Sequence, residues 1–474
     1  MSTTLVWLSR DLRRLDNPAL YHAAQRGNVV PVYIWSPGEE GDWGPGGARR
    51  WWLHHSLTAL DQDLRDHGSR LVLRSGKSLA ALRDLTAATG ADAVYWNTRY
   101  EPALHQRDEQ VAEALKSDGV EVKTFAGTLL HDPDAIRTGS GGPYKVYTPF
   151  WRKMTAQTAI GEPLGPPRLG ETSAPEAWPE SAPVADWGLL PTIDWDGGLD
   201  DTWTPGEQGA HDRLERFIAE AAIDYEDERN RPDHHGTAML SPHLHHGEIS
   251  PRQVWTAVEA WATNSNADAT AFLKEIAWRE FSYHLLYHFP ATTDAPLKDK
   301  FAAFPWANDA DGLERWQKGL TGYPIVDAGM RQLYHIGWMH NRVRMIVASF
   351  LTKDLLIAWQ DGARWFWDTL VDADLASNTM GWQWAAGSGA DAQPFFRIFN
   401  PISQGERYDP NGDYVRRWVP ELAKLPKKYI HKPWEAPRAL LEQFGVVLGD
   451  TYPKPMVDHA EARDIALEAY QQIK

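Results

Sequence analysis

Two stretches in the second half of the chain concentrate residues that can hold a flat heteroaromatic ring. They read W-M-H-N-R-V-R-M at 338–345 and D-A-D-L-A-S-N-T-M-G-W-Q-W at 372–384. Asp, Asn and Arg can hydrogen-bond the polar edge of such a ring, and tryptophans can stack on bases or pass electrons. Taken alone, the acidic part at 372–378 is more typical of a solvated turn, so its function depends on the surrounding motifs.

Small, hydroxyl and histidine residues form a second group, Y-E-D-E-R at 225–229 and H-G-T-A-M-L-S-P-H-L-H-H-G-E-I-S at 235–250. Small and hydroxyl residues can bring backbone N–H groups onto a pyrophosphate. A Ser/Thr-rich helix N-cap is the alternative. The histidine spacing matches no zinc signature and the chain has no Cys, so we expect no metal site.

A third group is F-L-K-E-I-A-W-R-E-F-S-Y-H at 272–284. Glu275 and Trp278 are three residues apart, so they share one face of a helix, as do Glu275 and Arg279. The polar and aromatic side chains on this face could bind a ligand together. A structural Glu–Arg pair between Glu275 and Arg279 is the alternative.

The composition indicates a globular protein of two or three domains, with 474 residues, 43% hydrophobic and 24% charged. Tryptophan is unusually frequent, with 24 copies against 16 Tyr and 14 Phe, and most of these rings are expected to fill cores. The absence of Cys excludes disulfides and cysteine-ligated iron–sulfur clusters. No signal peptide or membrane span is evident, so we expect a soluble, cytoplasmic protein that is a monomer.

The net charge of −16 argues against a nucleic-acid partner, but its distribution weakens that objection. Residues 161–227 hold 16 Asp/Glu against 3 Lys/Arg, whereas residues 331–432 hold 13 Lys/Arg against 10 Asp/Glu. Salt screens fields beyond about 8–10 Å. A local basic surface is therefore compatible with an acidic chain, and charge leaves DNA binding open.

The first 130 residues alternate strand and helix patterns, which predicts a parallel α/β sheet covered on both faces. Strands are predicted at 4–9, 29–35, 70–74, 93–97 and 120–125, and helices at 18–26, 48–67, 78–89 and 104–118. S-R-D-L-R-R-L-D-N-P follows the first strand where a dinucleotide-binding domain carries G-x-G-x-x-G. The topology therefore gives no basis for NAD binding.

Domain boundaries are predicted at 1–130 for the α/β domain, 131–206 for a connection and 207–474 for an all-α domain. The stretch 161–206 is rich in Pro, Gly and acid, and is expected to be ordered only where a Trp packs down. Helices in the second domain are predicted at 210–223, 251–263, 268–288, 324–336, 338–358 and 362–370.

Taken together, these motifs resemble the photolyase/cryptochrome family from about residue 3 to residue 435, most closely its class I/III cyclobutane pyrimidine dimer photolyases. The resemblance implies a light-driven DNA lyase that uses FAD and acts on UV-damaged DNA. Reduced FAD would donate an electron to a flipped-out dimer, whose extrusion costs least where pairing is already damaged. The alternative is a cryptochrome-type blue-light photoreceptor.

The resemblance also implies residue roles. It implies FAD contacts for Tyr225, Thr237, Ala238, Met239, Leu240, Ser241, Phe272, Arg279, Arg344, Asp372, Ala373, Asp374 and Asn378. It implies catalysis on the dimer for Glu275, Asn341, Met345 and Asn378, and electron transfer to the flavin for Trp306, Trp359 and Trp382. Contacts to the lesion or flanking DNA are implied for Arg229, Glu275, Trp278, Asn341, Arg342, Trp384, Arg397 and Gln404.

Five details refine the comparison within the family. Met345 stands where (6-4) photolyases typically have His in this region, and Asn378 stands where plant cryptochromes typically have Asp. The chain leaves little room for a signalling tail after the matching region. Segments such as W-S-P-G-E-E-G-D-W resemble the branch nearest plant cryptochromes, so the antenna is expected to be methenyltetrahydrofolate, with 8-hydroxy-5-deazaflavin or FMN as alternatives. Glu101 in R-Y-E-P is a candidate antenna contact.

Overall fold

The computed structural model describes every residue except 1, 158–159, 171–173 and 176. Five strands form its sheet: β1 Thr3–Leu8, β2 Asn28–Trp35, β3 Val72–Ser75, β4 Ala93–Asn97 and β5 Glu121–Phe125. Their order is β3-β2-β1-β4-β5, and every neighbouring pair is parallel. All residues of the central strand β1 are buried, as expected for a sheet covered on both faces. The predicted parallel α/β domain is confirmed.

The described residues also contain twenty α-helices. In chain order they are α1 Pro18–Arg26, α2 Gly47–Asp66, α3 Ser78–Thr89, α4 Pro102–Ser117, α5 Tyr147–Gln157, α6 Gly197–Thr202, α7 Glu207–Glu220, α8 Tyr225–Glu228, α9 Ser241–His246, α10 Pro251–Ser265, α11 Thr270–His288, α12 Ala310–Gln317, α13 Pro324–Ile336, α14 Asn341–Ser349, α15 Trp359–Thr369, α16 Leu375–Ala386, α17 Pro401–Tyr408, α18 Asp413–Trp418, α19 Arg438–Gln443 and α20 His459–Gln471. Helices α1 to α4 connect the strands. The described chain after β5 contains no further sheet, so the predicted helical second domain is also confirmed.

The turn after β1 joins the sheet to the helical part. The buried guanidinium of Arg13 donates to the carbonyl oxygens of Gly127 at 2.7 Å and Gly247 at 2.9 Å. Gly247 has φ +70°, and a Cβ there would lie 1.9 Å from the carbonyl oxygen of Arg10. Glycine is therefore required at this close approach of the two domains.

Polar contacts as well as tryptophans hold the described residues of the predicted connection. Trp187 stacks on Trp35 at 6.1 Å and Trp203 is buried, in line with the expectation for tryptophans. Polar anchors also hold the segment, because the hydroxyl of Ser181 accepts the N–H of Leu73 at 2.9 Å. A full helix, α5, precedes the Pro-rich stretch and packs on α11.

The predicted helix at 338–358 is wrong at both ends. His340 caps the N-terminus of α14, since its Nδ1 accepts the N–H of Arg342 at 3.2 Å. Burial, with Arg342 and Arg344 nearby, lowers the pKa of His340 to about 3, so the ring is neutral and can accept. Beyond α14 the chain forms a π-helical turn, Phe350–Asp354. It ends before Leu356, whose φ of 53° is left-handed.

Helices α11, α14, α15 and α16 form the centre of the second domain. Helix α16 packs against each of the other three, and its residues are largely buried. Gly362 lets α15 lie close to α16, because a Cβ at this position would lie 2.1 Å from the indole ring of Trp382 on α16. Within the described residues, no helix has both the length and the apolar character needed to cross a bilayer.

Candidate functional site

The acidic turn before α16 is buried and bonded rather than solvated. Asp374 caps α16 by accepting the N–H of Ser377 at 2.8 Å, and its other oxygen accepts the hydroxyl proton of Tyr283 at 2.5 Å. Asp372 accepts from Arg344 at 2.8 Å, and the alternative of a solvated acidic turn is therefore excluded.

Charge at this turn is fixed by its neighbours. Burial would raise the pKa of Asp374, but His245, Arg279 and the Tyr283 hydroxyl lower it well below its usual range on balance. His245 lies 3.7 Å from Asp374, and burial together with Arg10 lowers its own pKa to about 3. Asp374 is therefore a fixed anion that can accept N–H groups from a ring.

Hydrogen-bonding capacity remains open at the same turn. Asp372 Oδ1 is buried and has no hydrogen-bond partner among the described residues. Asn378 sits on α16, one turn after Asp374, and its amide nitrogen donates to the carbonyl of Ala363 at 3.1 Å. A buried carboxylate oxygen without a partner is costly. The site therefore fits a heteroaromatic ring with N–H donors, such as that of FAD.

The candidate phosphate loop lies beside this turn. Ala238 and Leu240 are buried, Thr237 and Met239 are partly exposed, and Met239 has a left-handed φ of 49°. The Ser241 hydroxyl lies at the start of α9 and accepts from Trp338 Nε1 at 3.2 Å. The loop is ordered by contacts to the segment that carries W-M-H-N-R, so the second and first motifs form one site.

An aromatic cluster packs against the candidate phosphate loop. Phe272 on α11 stacks on Phe217 at 4.5 Å, and Tyr225 contacts Phe272 edge-on at 5.3 Å. Ala238 belongs to the same buried cluster. Tyr225 and Phe272 are therefore at least structural supports of the candidate FAD site.

Glu275 and Trp278 share one partly exposed face of α11, as the spacing predicts. Glu275 pairs with Arg229 at 2.6 Å, while Arg279 donates to the carbonyl of Thr128 at 2.9 Å. The alternative of a structural Glu275–Arg279 pair is therefore wrong.

Helix α14 carries two further predicted lesion contacts and one predicted DNA contact. Asn341 is exposed at its N-terminus, and Met345 lies one turn further, partly exposed. The guanidinium of Arg342 donates twice to Asn230 Oδ1, at 2.7 and 3.2 Å, and lies 4.4 Å from the centre of the Tyr408 ring. Because Asn230 follows Arg229 directly, the segment immediately after α8 contacts both α11 and α14.

The remaining predicted DNA contacts lie on neighbouring segments. Trp384 projects from α16 and is partly exposed, and Arg397 is exposed in the loop after that helix. Buried Lys353 donates to the carbonyl of Arg397 at 3.2 Å, which fixes the loop backbone. Gln404 on α17 has a buried Oε1 without a hydrogen-bond partner in the described chain.

Two of the three predicted electron-transfer tryptophans are buried and the third is partly exposed. Trp382 is 3% exposed and Trp359 1%, whereas Trp306 is partly exposed. Trp382 lies on α16, and Trp359 begins the adjacent helix α15. The backbone N–H of Ala307 donates to the carbonyl of Leu356 at 2.7 Å, which brings the segment of Trp306 beside that of Trp359.

Several residues of the site escaped the sequence analysis. They include Tyr283 and His245 at Asp374, Asn230 and Tyr408 at Arg342, Trp316 at 6.0 Å from Trp382, and Tyr147 against Trp278. Each acts through a partner distant in the chain. Except for Tyr283 and His245, which lie in quoted motifs, no local pattern marked them.

A cavity of about 310 Å³ opens between the α/β domain and α15. Its lining includes Arg10, Glu40, Trp43, Glu101 and Leu375, the last of which directly follows Asp374. Arg10 pairs with Glu40 at 3.2 Å and Glu101 at 3.4 Å. This cavity therefore contains the candidate antenna residue Glu101. The described residues contain no cluster of three or more His, Asp or Glu suited to a metal ion.

Comparisons with known proteins agree with this geometry. Family models described as DNA photolyase and as the FAD binding domain of DNA photolyase match residues 4–168 and 272–472. A deoxyribodipyrimidine photo-lyase of Agrobacterium fabrum is 54% identical over 99% of this chain and 98% of its own. Cryptochrome-2 of Arabidopsis thaliana is 41% identical over 99% of this chain and 79% of its own. The crystal structure of a class III photolyase from Agrobacterium tumefaciens superposes with a TM-score of 0.96 and 53% identity, covering 100% of this chain and 98% of that one.

Proposed function

Because the chain belongs to the DNA photolyase family, we propose that the site described above repairs cyclobutane pyrimidine dimers by light-driven electron transfer. The protein is an FAD-dependent DNA repair enzyme, a carbon–carbon lyase. FAD, when reduced and excited by light, supplies the electron that opens the cyclobutane ring and receives it again afterwards. The residues bind, orient and shield the two reactants.

One observation carries this proposal: residues proposed to hold FAD and residues proposed to hold the lesion lie on the same two packed helices, α11 and α16. Helices α11 and α16 pack together, and Tyr283 on α11 donates to Asp374 at the start of α16 at 2.5 Å. The same helices carry Glu275, Trp278 and Trp384 toward solvent. A ring held at Asp372, Asp374 and Asn378 would thus rest on the same pair of helices as the proposed lesion pocket, which favours short-range electron transfer.

The lesion pocket is proposed to hold a flipped dimer between Trp278 and Trp384. Base stacking on an aromatic side chain contributes roughly 1–3 kcal/mol. Glu275 and Asn341 would hydrogen-bond the dimer, and Met345 offers an apolar contact where catalysis on a (6-4) lesion would need an acid–base group. Arg342 and Arg397 are proposed to contact phosphates beside the lesion.

Repair assays test this function directly. The chemically reduced protein is illuminated with duplexes that carry one cyclobutane dimer or one (6-4) product. We expect light-dependent loss of the cyclobutane dimer alone, with none in the dark. Repair of the (6-4) product, or of neither lesion, contradicts the proposed substrate.

A cryptochrome-type photoreceptor is the second candidate, since a plant cryptochrome is 41% identical. Asn378, together with Glu275 and Trp278 on α11 and Trp384 on the α16 that packs against it, favours repair instead. A photoreceptor without repair activity would bind FAD and photoreduce, yet leave the cyclobutane dimer intact in the assay above.

The cavity at Glu101 is the proposed antenna site, with methenyltetrahydrofolate as the first choice. Trp43 Nε1, a buried donor in the cavity lining without a hydrogen-bond partner in the described chain, supports a ligand with an acceptor atom there. Chromophores released from the purified protein are identified by absorption and mass spectrometry. A deazaflavin or FMN in their place would correct the antenna.

We further propose that the protein works as a monomer in the cytoplasm without a metal ion. Residues 1–130 would hold the antenna, 131–206 would connect the domains, and 207–474 would hold FAD and DNA. Sedimentation of the purified protein tests the monomeric state, and metal analysis tests the absence of a metal ion.

A further inference from the structure

Helix α11 presents Trp278 with one of its two ring faces already covered. Tyr147, the first residue of α5, stacks on the indole with ring centroids 3.6 Å apart and an interplanar angle of 7°. Tyr147 is 6% exposed, whereas Trp278 is partly exposed. A base that stacks on Trp278 must therefore use the opposite face.

Two hydrogen bonds fix the position of Tyr147 beside Trp278. Its hydroxyl donates to the carbonyl of Lys274 at 2.8 Å. In an α-helix that carbonyl also accepts the N–H of Trp278, four residues later. Tyr147 thus contacts both the ring of Trp278 and the helical turn from which the ring projects.

The second hydrogen bond joins Tyr147 to the loop that follows α16. The backbone N–H of Tyr147 donates to Asp391 Oδ2 at 3.1 Å. Asp391 lies in the loop between Trp384 and Arg397, and its carboxylate stands at the N-terminus of α5, where a negative charge is favourable. Tyr147 therefore links α11 to the loop that follows α16.

We propose that Tyr147 is a positioning residue of the lesion pocket, holding the Trp278 ring in the plane on which a dimer base stacks. A long aromatic side chain at a helix surface can otherwise occupy more than one rotamer, and ordering it on binding would reduce affinity. The Tyr147 ring orders it beforehand. This assignment rests on the proposed function, because it presupposes that Trp278 stacks on a lesion.

The test measures dark binding of the full-length, FAD-loaded protein to a duplex with one cyclobutane dimer and to the same duplex undamaged. Loss of an aromatic pair predicts that Tyr147→Leu weakens lesion binding about two- to tenfold. Binding to undamaged DNA, the salt slope and FAD content should not change. Tyr147→Phe keeps the stacked ring and should restore lesion affinity to within about twofold of wild type.

Tyr144→Leu is the matched control. Tyr144 lies in the same segment and contacts Phe150 and His284, but no ring contact with Trp278 is found among the described residues. It should lower the melting temperature without a selective loss of lesion binding. If Tyr147→Leu fails to retain FAD, Tyr147→Met, which fills space without a ring, takes its place.

A double-mutant comparison separates positioning from general packing. In a Trp278→Ala background, Tyr147→Leu should cause no further loss of lesion binding. An equal loss in both backgrounds, or wild-type lesion affinity in Tyr147→Leu, overturns the assignment. If the wild-type protein itself does not distinguish damaged from undamaged DNA, the proposed function fails instead.

Discussion

Arg229 and Glu275 face each other beside the proposed lesion pocket, with Nη2 and Oε1 2.6 Å apart. The sequence suggested separate partners for them, a phosphate and the dimer. Burial raises the pKa of Glu275, and Arg229 partly offsets that rise. Arg229 therefore controls the protonation of a residue that is proposed to touch the substrate.

Replacing Arg229 by Gln should shift the pH dependence of lesion binding. Only a protonated carboxyl can donate to a dimer carbonyl, so binding should strengthen as the pH falls through the raised pKa of Glu275, above the ordinary 4.5. Without Arg229 that pKa rises further, and the midpoint should move to higher pH. Dissociation constants for a dimer-containing duplex, measured across pH, give the midpoint.

Two variants control this experiment. Arg229→Lys keeps the positive charge and should retain a midpoint near that of wild type. Glu275→Gln should abolish the pH dependence while the protein stays folded. Identical midpoints in wild type and Arg229→Gln would show that the ion pair does not govern Glu275.

Replacing Trp382 or Trp306 by Phe should block light-driven reduction of the oxidised flavin. The same variants, chemically reduced beforehand, should still repair the dimer, because these tryptophans are proposed only to reduce the flavin before repair begins. Trp316→Phe is the control: Trp316 lies 6.0 Å from Trp382 but is fully buried, with Phe366 as its other ring neighbour among the described residues. Transient absorption measures the reduction. Unchanged rates in both Trp382 and Trp306 variants would assign these rings to core packing.

Stacking and phosphate contacts should have different salt signatures. Arg342→Ala or Arg397→Ala should each reduce the slope of log K against log [salt] by about 0.9. Trp384→Ala should weaken lesion binding by roughly 1–3 kcal/mol and leave the slope and undamaged binding nearly unchanged. Titrations at several salt concentrations measure both. Equal loss on damaged and undamaged DNA in all three variants, with constant slopes, would mean that the pocket is misplaced.

Replacing Asp372 by Ala should release FAD. The substitution removes the partner of Arg344, at 2.8 Å, and the carboxylate oxygen that is free for a ring donor. Because a quarter of the Arg344 side chain is exposed, breaking this pair should cost less than the about 3–5 kcal/mol of a fully buried one. Asp413→Ala, at an exposed position on α18, is the matched control. Flavin absorbance after gel filtration is the measurement, and full retention by the Asp372 variant would contradict the assignment.

Local patterns predicted the fold well because they reflect short-range physics. Alternating apolar runs gave the strands, and helical periodicity placed α11 and α13 almost to the residue. The helix around Arg344 was drawn too long, since its ends depend on a histidine cap and a left-handed Leu356. Neither leaves a signature in hydrophobic periodicity.

Site residues were predictable where a motif carries them and not where a tertiary contact does. Spacing placed Glu275 and Trp278 on one face of α11, but nothing nearby indicated Arg229 as the partner of Glu275. Likewise, Y-K-V-Y-T-P-F around Tyr147 falls in a segment treated as a connection. Its contact with Trp278 spans over a hundred residues, and only folding brings the two rings together.

The close approach at Gly247 limits how this protein can be recombined. Arg13, from the turn after β1, supplies hydrogen bonds to Gly127 and Gly247, and the backbone at Arg10 leaves no room for a side chain at 247. A chimera that joins a foreign α/β half to this helical half would lose those donors unless the graft also carries residues 9–17. The α/β half of a relative should thus be exchangeable only where the turn after its own first strand supplies an arginine in the place of Arg13.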